Sequence, residues 1–162
     1  MIKLLEVAAC LLTGVVLSLS LAHALEHPGK MRLGKDDYAA VRTIYYPGFT
    51  IGGAAEPLAI ITLALLLAVT PGGTTAFWLT TGALLAASAV QLVYWLRTAP
   101  VNKIWAEDFK LSPAAESFFG KPGSAPSGAD WTSLRDRWEW SHIYRAALAT
   151  VAFALIILRT AS

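Results

Sequence analysis

Residues 75–96 of the chain read TAFWLTTGALLAASAVQLVYWL and contain no charged side chain. A bilayer-spanning helix needs about 20 mainly apolar residues, and this stretch meets that requirement. Three further apolar segments have similar length: residues 7–25, 48–69 and 138–158. Because a backbone in lipid must satisfy its own hydrogen bonds, all four segments are predicted to be membrane-spanning helices.

The composition of the 162-residue chain agrees with a membrane protein. The chain is 56% hydrophobic and only 15% charged, whereas soluble domains carry about 25% charged residues. The formal net charge is +2, and the Lys and Arg residues form no basic stripe that would bind nucleic acid. A single cysteine, Cys10, excludes a disulfide framework and a cysteine-based zinc site. We therefore expect one all-α transmembrane domain over residues 1–162.

The segments between the predicted spans differ in length. Pro71-Gly72-Gly73 forms a tight turn that makes spans two and three antiparallel. The first link, residues 28–47, and the third, residues 97–137, are longer and rich in charge. Within the third link, start and stop signals predict a short helix over residues 112–120, followed by a flexible stretch. The sequence thus predicts a four-helix bundle with a long, partly helical, lid-like link between helices three and four.

The first apolar segment also fits a secretory signal peptide. Lys3 precedes the apolar run, and Ala22-His23-Ala24 resembles a small-x-small cleavage site. We expect this segment to be a helix of the mature protein.

The distribution of basic residues predicts the orientation in the membrane. Four antiparallel spans place both termini on one side and both long links on the other. Ten Lys and Arg residues lie on the link side and two on the terminal side. Because cytoplasmic loops carry an excess of Lys and Arg, the long links are predicted to be cytoplasmic and the termini external.

The polar residues within or beside the spans are concentrated toward the link side. The opposite half of the bundle is therefore predicted to be almost purely apolar. The main link-side polar residues are His23, Glu26, His27, Glu56, Gln91, Tyr94, His142 and Arg145.

Glu56 and Arg145 are charged residues well inside predicted spans two and four, whereas Glu139 lies at the very start of span four. A charged residue at mid-helix costs about 2.5–3.5 kcal/mol on insertion scales, so both are predicted to face the protein interior. They either form an ion pair that holds the bundle together or line a binding site, and the two roles are compatible. Pro57 cannot donate to the carbonyl of Gly53, which predicts a kink and room for a pocket beside Glu56.

The histidines are candidate ligands. His23-x-x-Glu26-His27 places two imidazoles on one helix face, and His142 can supply a third nitrogen to a Cu, Fe or Zn ion. Glu26 or Glu56 can complete such a shell with oxygen. Alternatively, His27 and His142 are axial ligands of a haem. Two further interpretations stay open: a metal-free acid–base role, or interfacial histidines that bond to water and headgroups.

The C-terminal half carries a resemblance. Pro100-Val101-Asn102, followed by Trp138-x-x-x-His142-x-x-Arg145, resembles the anthrone oxygenase-like family of small four-helix membrane proteins. The resemblance implies that Asn102, Trp138, His142 and Arg145 are functional residues. Named fungal members of that family oxidise an anthrone to an anthraquinone with molecular oxygen, and no cofactor is firmly part of that reaction.

The resemblance implies a membrane oxidoreductase whose flat, apolar aromatic or quinone-like substrate comes from the lipid. His142 is then the expected base, since an unperturbed imidazole has a pKa of about 6.5. Arg145 is expected to stabilise the developing oxyanion, and Asn102 or Tyr94 to orient the ring oxygen. The alternative is a non-catalytic accessory subunit whose bundle packs on larger membrane protein partners or on copies of itself, surrounded by membrane lipid.

Overall fold

The computed structural model describes residues 2–105 and 130–161. All regular secondary structure in these two ranges is helical, and they contain no strand. Four helical segments are long and apolar enough to cross a membrane: Ile2–Lys30, Gly48–Ala68, Thr75–Trp105 and Trp131–Ala161. The expected all-α membrane bundle is confirmed, and the chain is a multi-pass integral membrane protein. Its helices are α1 (Ile2–Lys30), α2 (Lys35–Arg42), α3 (Gly48–Gly53), α4 (Ala55–Ala68), α5 (Thr75–Val93), α6 (Ala99–Trp105) and α7 (Trp131–Ala161).

The third and fourth spans extend beyond their apolar cores. The third continues to Trp105 and the fourth begins at Trp131, so both ends of the predicted polar link are helical. Hydropathy detects only the part of a helix that lies in lipid, whereas the backbone hydrogen bonds continue past it. The short helix predicted over residues 112–120 and the flexible stretch after it lie outside the described residues.

The four spans form a bundle in which each helix packs on two others. α1 packs on α4 and α7, and α5 packs on the same two helices from the opposite side. Small side chains let these helices approach closely, as lipid-embedded packing requires. A Cβ atom on Gly82, for example, would lie 3.0 Å from Leu155 Cδ1. Buried alanines therefore dominate the centre: Ala9, Ala55, Ala59, Ala83, Ala86, Ala87, Ala149 and Ala152.

The second span is broken, as the proline predicted. α3 ends at Gly53 and α4 begins at Ala55, because Pro57 has no N–H to bond the Gly53 carbonyl. The break is packed against α1, where a Cβ on Gly52 would lie 2.6 Å from Leu19 Cδ1. Glu56 follows the break directly and faces the interior, with 9% of its surface exposed.

The third span contains a π-helical turn, Tyr94–Thr98, between α5 and α6. Such turns are rare and frequently mark functional sites. Tyr94 and Thr98 are both buried, and the Thr98 hydroxyl lies 2.8 Å from that of Ser141 on α7. The turn therefore directs two polar side chains toward the interior.

The end of the bundle near the termini is not purely apolar, so that prediction is wrong. Arg159 forms an ion pair with Glu6, and each is 6% exposed. The guanidinium also donates to the hydroxyls of Thr80 at 2.8 Å and Thr70 at 3.1 Å. These partners satisfy both charges locally, which is how a buried ion pair becomes tolerable. Lys3 adds a second contact to Glu6 at 2.9 Å.

Candidate functional site

A cavity of about 80 Å³ lies in the link-side half of the bundle. We call it the polar cavity. All four spans and the end of the first link contribute to its walls. The five residues that the sequence nominated as catalytic all line it: Glu56, Tyr94, Asn102, His142 and Arg145. Its other main wall residues are His23, Tyr45, Phe49, Thr98 and Trp138.

An ion pair forms one side of the cavity. Arg145 on α7 donates to Glu56 on α4, which is one of the two roles considered for these charges from the sequence. In the amide orientation that satisfies its neighbours, Gln91 donates to the second Glu56 oxygen at 2.8 Å and accepts from Trp95 Nε1 at 2.9 Å. Glu56 is thus held by two spans besides its own. The pair links helices and lines the cavity, so both roles considered for it are compatible with this geometry.

Two imidazoles face each other in the cavity. The rings of His23 on α1 and His142 on α7 have centroids 4.0 Å apart and are tilted by 31°. Aromatic rings surround them: Trp138 lies 4.2 Å from His142, and Tyr45 lies 4.4 Å from His23. Phe49 is 4.7 Å from His23. The histidines are therefore shielded from water by apolar and aromatic walls.

The contact of His142 with Arg145 assigns its tautomer. Arg145 Nη1 lies 3.3 Å from His142 Nδ1. A guanidinium only donates, so Nδ1 must accept, and the neutral imidazole carries its proton on Nε2. His142 therefore offers a hydrogen-bond donor at Nε2 rather than a basic nitrogen, contrary to the expected role of this residue as the base.

Three buried polar atoms in the cavity wall lack a hydrogen-bond partner among the described residues: His23 Nδ1, His142 Nε2 and Arg145 Nε. Buried polar groups are nearly always bonded in native proteins, so each exception needs a reason. Three of the seven buried polar atoms that lack a hydrogen bond in the described residues lie at this cavity, and the other four lie elsewhere. The cavity is therefore a place where a ligand or water can supply three missing partners.

One hydrogen bond orients the far wall. Trp138 Nε1 donates to Asn102 Oδ1 at 2.8 Å. This contact joins the two short motifs on which the family resemblance rests. Asn102 is therefore a positioning group for Trp138 as well as a cavity residue.

The predicted metal and haem ligands do not converge. His27 lies against Trp140, with ring centroids 5.8 Å apart, and does not line the polar cavity. Glu26 accepts from Tyr45 and lies 3.6 Å from Lys30. Residues 2–105 and 130–161 contain no group of three His, Cys, Asp or Glu side chains placed to hold a metal. The 80 Å³ cavity also leaves no room for a macrocycle between His27 and His142.

The physical reason lies in helix geometry. His27 is four residues beyond His23, which rotates it by about 40° and moves it about 6 Å along the axis. It therefore passes beyond the cavity and reaches the outer surface of α7.

A second polar cluster, missed from the sequence, lies behind Trp138. The Lys30 ammonium is 3.1 Å from Glu139, and the Tyr38 hydroxyl donates to the same carboxylate at 2.7 Å. Burial raises the pKa of the Tyr38 phenol far above its usual range. Trp105 and Trp131 pack against Tyr38 at 6.0 and 6.3 Å, so the cluster holds α2 against the third and fourth spans.

Comparison with known proteins shows which family the chain belongs to. The family model described as anthrone oxygenase matches residues 42–155, which is about 70% of the 162 residues. No curated protein and no solved structure matches the chain significantly. The matched range includes Glu56, Asn102, His142 and Arg145, whereas His23 precedes it. The chain therefore belongs to the anthrone oxygenase family.

Proposed function

We propose that this protein oxidises a flat, apolar substrate of the anthrone or hydroquinone type with molecular oxygen in the polar cavity. The observation that carries the proposal is the set of unpartnered buried nitrogens on His23, His142 and Arg145 in an aromatic-walled cavity. Such a cavity pairs a planar apolar surface with a few placed polar groups, as sites for small aromatic molecules do.

The two histidines have different roles in the proposed reaction: His142 donates a hydrogen bond, and His23 accepts a proton. His142 Nε2–H donates to the substrate carbonyl oxygen, and this bond strengthens as the oxygen becomes an enolate. The adjacent Arg145 guanidinium adds positive charge to the same region. The unpartnered Nδ1 of His23 is then the group that removes the C–H proton. Glu56 and Gln91 hold Arg145 in place through the ion pair.

For an anthrone, the chemistry balances without an external reductant; a hydroquinone would instead pass two electrons and two protons to oxygen and give its quinone and hydrogen peroxide. Removal of one proton from the ring CH₂ of an anthrone gives an enolate, which reduces oxygen and binds it at the same carbon. Loss of water from the resulting hydroperoxide leaves a second ring carbonyl. One oxygen atom ends in the quinone and the other in water, together with both hydrogens of the original CH₂.

Access from the bilayer passes between the first and second spans. Leu19 and Phe49 line the cavity and are only half-buried. Pockets for drug-sized ligands measure about 300–1,000 Å³, so a three-ring substrate requires these side chains to move aside. The break between α3 and α4 lies beside them and gives the wall a place to bend.

The experiment is oxygen consumption and quinone formation by the purified, folded protein with anthrone in nanodiscs. We expect turnover above the uncatalysed rate in the wild type and a loss of about 10²–10³ in kcat in His142→Ala. His27→Ala is the matched control, because His27 lies outside the cavity, and it should keep its activity within about twofold. Absence of turnover by folded wild-type protein with both anthrones and hydroquinones refutes the proposal.

We further propose that the long links face the cytoplasm and both termini face outward. The excess of Lys and Arg on the link side supports this orientation. In a Cys10→Ala background, a membrane-impermeant maleimide should label Ser162→Cys in intact cells and Lys35→Cys only after lysis. The reverse labelling pattern contradicts the orientation.

A further inference from the structure

Two arginines on the outer surface of the bundle are held in place without a carboxylate partner. Arg137 Nη2 donates to the Leu96 carbonyl at 2.8 Å, within the π-helical turn. The Arg97 guanidinium lies 5.5 Å from the centroid of the Tyr144 ring. Neither arginine forms an ion pair within residues 2–105 and 130–161. Within the described residues, both guanidinium groups are therefore held in place and have no carboxylate partner.

These arginines border a depression of about 430 Å³ that Leu96 also lines. The depression lies between the third and fourth spans on the outer surface of the bundle, whereas the polar cavity lies inside the bundle. The surface next to it is apolar and exposed: Leu92, Leu96, Trp140 and Tyr144 have exposed fractions of 56%, 60%, 47% and 43%.

The chain direction places these groups at different depths. The third span runs toward the link side and the fourth runs away from it. At about 1.5 Å per residue, Leu92 lies about 7 Å deeper in the membrane than Arg97. By the same rise, Tyr144 lies about 10 Å deeper than Arg137. The arginines are thus at headgroup level, with aromatic and aliphatic groups beneath them.

We propose that this surface binds one anionic phospholipid, with its phosphate between Arg97 and Arg137 and an acyl chain against Leu92 and Tyr144. Guanidinium groups bind phosphate through paired, charge-assisted hydrogen bonds. Basic pockets between membrane helices are recognised sites for acidic headgroups. A free phosphate would satisfy the arginines equally well, but it would leave the exposed apolar surface below them without a role.

The test is native mass spectrometry of the delipidated, full-length protein titrated with dioleoyl phosphatidylglycerol or dioleoyl phosphatidylcholine. We expect one phosphatidylglycerol per chain, bound more tightly than phosphatidylcholine. Two surface arginines contribute about 1 kcal/mol each, so Arg97→Gln/Arg137→Gln should weaken phosphatidylglycerol binding about 30-fold. Arg97→Gln alone keeps the bond from Arg137 to Leu96 and should lose about half of that free energy.

The control is Arg32→Gln/Lys35→Gln, which removes the same charge from exposed link-side positions elsewhere. It should bind phosphatidylglycerol like the wild type. The proposal is overturned if the wild type binds both lipids equally, or if the control loses as much affinity as Arg97→Gln/Arg137→Gln. Displacement of the lipid by millimolar inorganic phosphate overturns it too, since the site would then recognise phosphate without the chain.

Discussion

The ammonium of Lys30 lies 3.1 Å from the carboxylate of Glu139, and the two side chains are 4% and 0% exposed. This pair joins the last turn of the first span to the third turn of the fourth. Removing one partner of a buried pair costs up to about 3–5 kcal/mol, because the remaining charge loses its compensation. Here Lys30 would keep only the partly exposed Glu26, at 3.6 Å. We therefore expect Glu139→Gln to lower the unfolding temperature in detergent strongly. Lys30→Met/Glu139→Leu, which removes both charges, should recover most of the loss; equal melting of the single and double variants would contradict this account.

The ion pairs at the two ends of the bundle should differ in function although both stabilise it. Glu56→Gln weakens the hold on Arg145 beside the histidines, so stability and turnover should both fall. Glu6→Gln disturbs Arg159 at the opposite end, and only stability should fall. The measurement is thermal unfolding together with kcat per folded molecule. Loss of turnover in folded Glu6→Gln protein would show that the distal pair also acts on the site.

The roles of the two histidines can be separated by glutamine substitution. A glutamine amide can donate a hydrogen bond but cannot accept a proton from carbon at neutral pH. His142→Gln should therefore retain more kcat than His142→Ala, whereas His23→Gln should be as inactive as His23→Ala. The deuterium isotope effect on kcat with ring-CD₂ anthrone should grow in the His23 variants. If glutamine rescues His23 and not His142, the two assignments are reversed.

Phe49 is expected to control the size of substrate that the cavity admits. Phe49→Ala removes a ring that lies 4.7 Å from His23 and opens the wall toward lipid. It should lower KM for three-ring substrates and leave KM for a one-ring hydroquinone nearly unchanged. The exposed Leu58→Ala on α4 serves as a control on the same span. Equal effects on both substrate sizes would argue against access at this point.

Tyr38 should make the protein less stable in alkali. Burial raises its phenol pKa in the folded state, so above the unfolded pKa of about 10 only the unfolded chain releases the proton. The free energy of unfolding then falls with pH, by at most about 1.4 kcal/mol per pH unit for one group. Tyr38→Phe lacks this group, so its stability should decline less steeply between pH 10 and 11. If the free energies of unfolding of the wild type and Tyr38→Phe decline equally with pH, the Tyr38 phenol is in contact with solvent and its pKa is not raised.

The sequence was sufficient to predict the four spans and to single out five residues that line the polar cavity. The cost of a charge in lipid predicted that Glu56 and Arg145 face the interior, with an ion pair between them as one of two possible roles. The π-helical turn at Tyr94–Thr98 and the facing of the His23 and His142 rings depend on packing between distant segments, and no local pattern encodes them. The tautomer of His142 likewise depends on a contact with Arg145 that spacing alone does not establish.

The polar clusters that were missed share a cause. Glu6 and Arg159 lie just beyond the apolar runs of residues 7–25 and 138–158, and Lys30 lies within the predicted first link. Each belongs to a helix that continues past its apolar core, as the observed bounds Ile2–Lys30 and Trp131–Ala161 show. An isolated charge within one turn of an apolar run is a signal that identifies Glu6 and Arg159, whereas Lys30 lies five residues beyond its run and has no such signal.

The two interior arginines of the fourth span have a consequence for how the protein is made. Arg145 and Arg159 meet carboxylates that lie 89 and 153 residues earlier in the chain. Both counter-charges have therefore left the ribosome before the arginines emerge. A helix with two arginines inserts poorly by itself, so the first three spans serve as the receiving surface that makes insertion of the last one favourable.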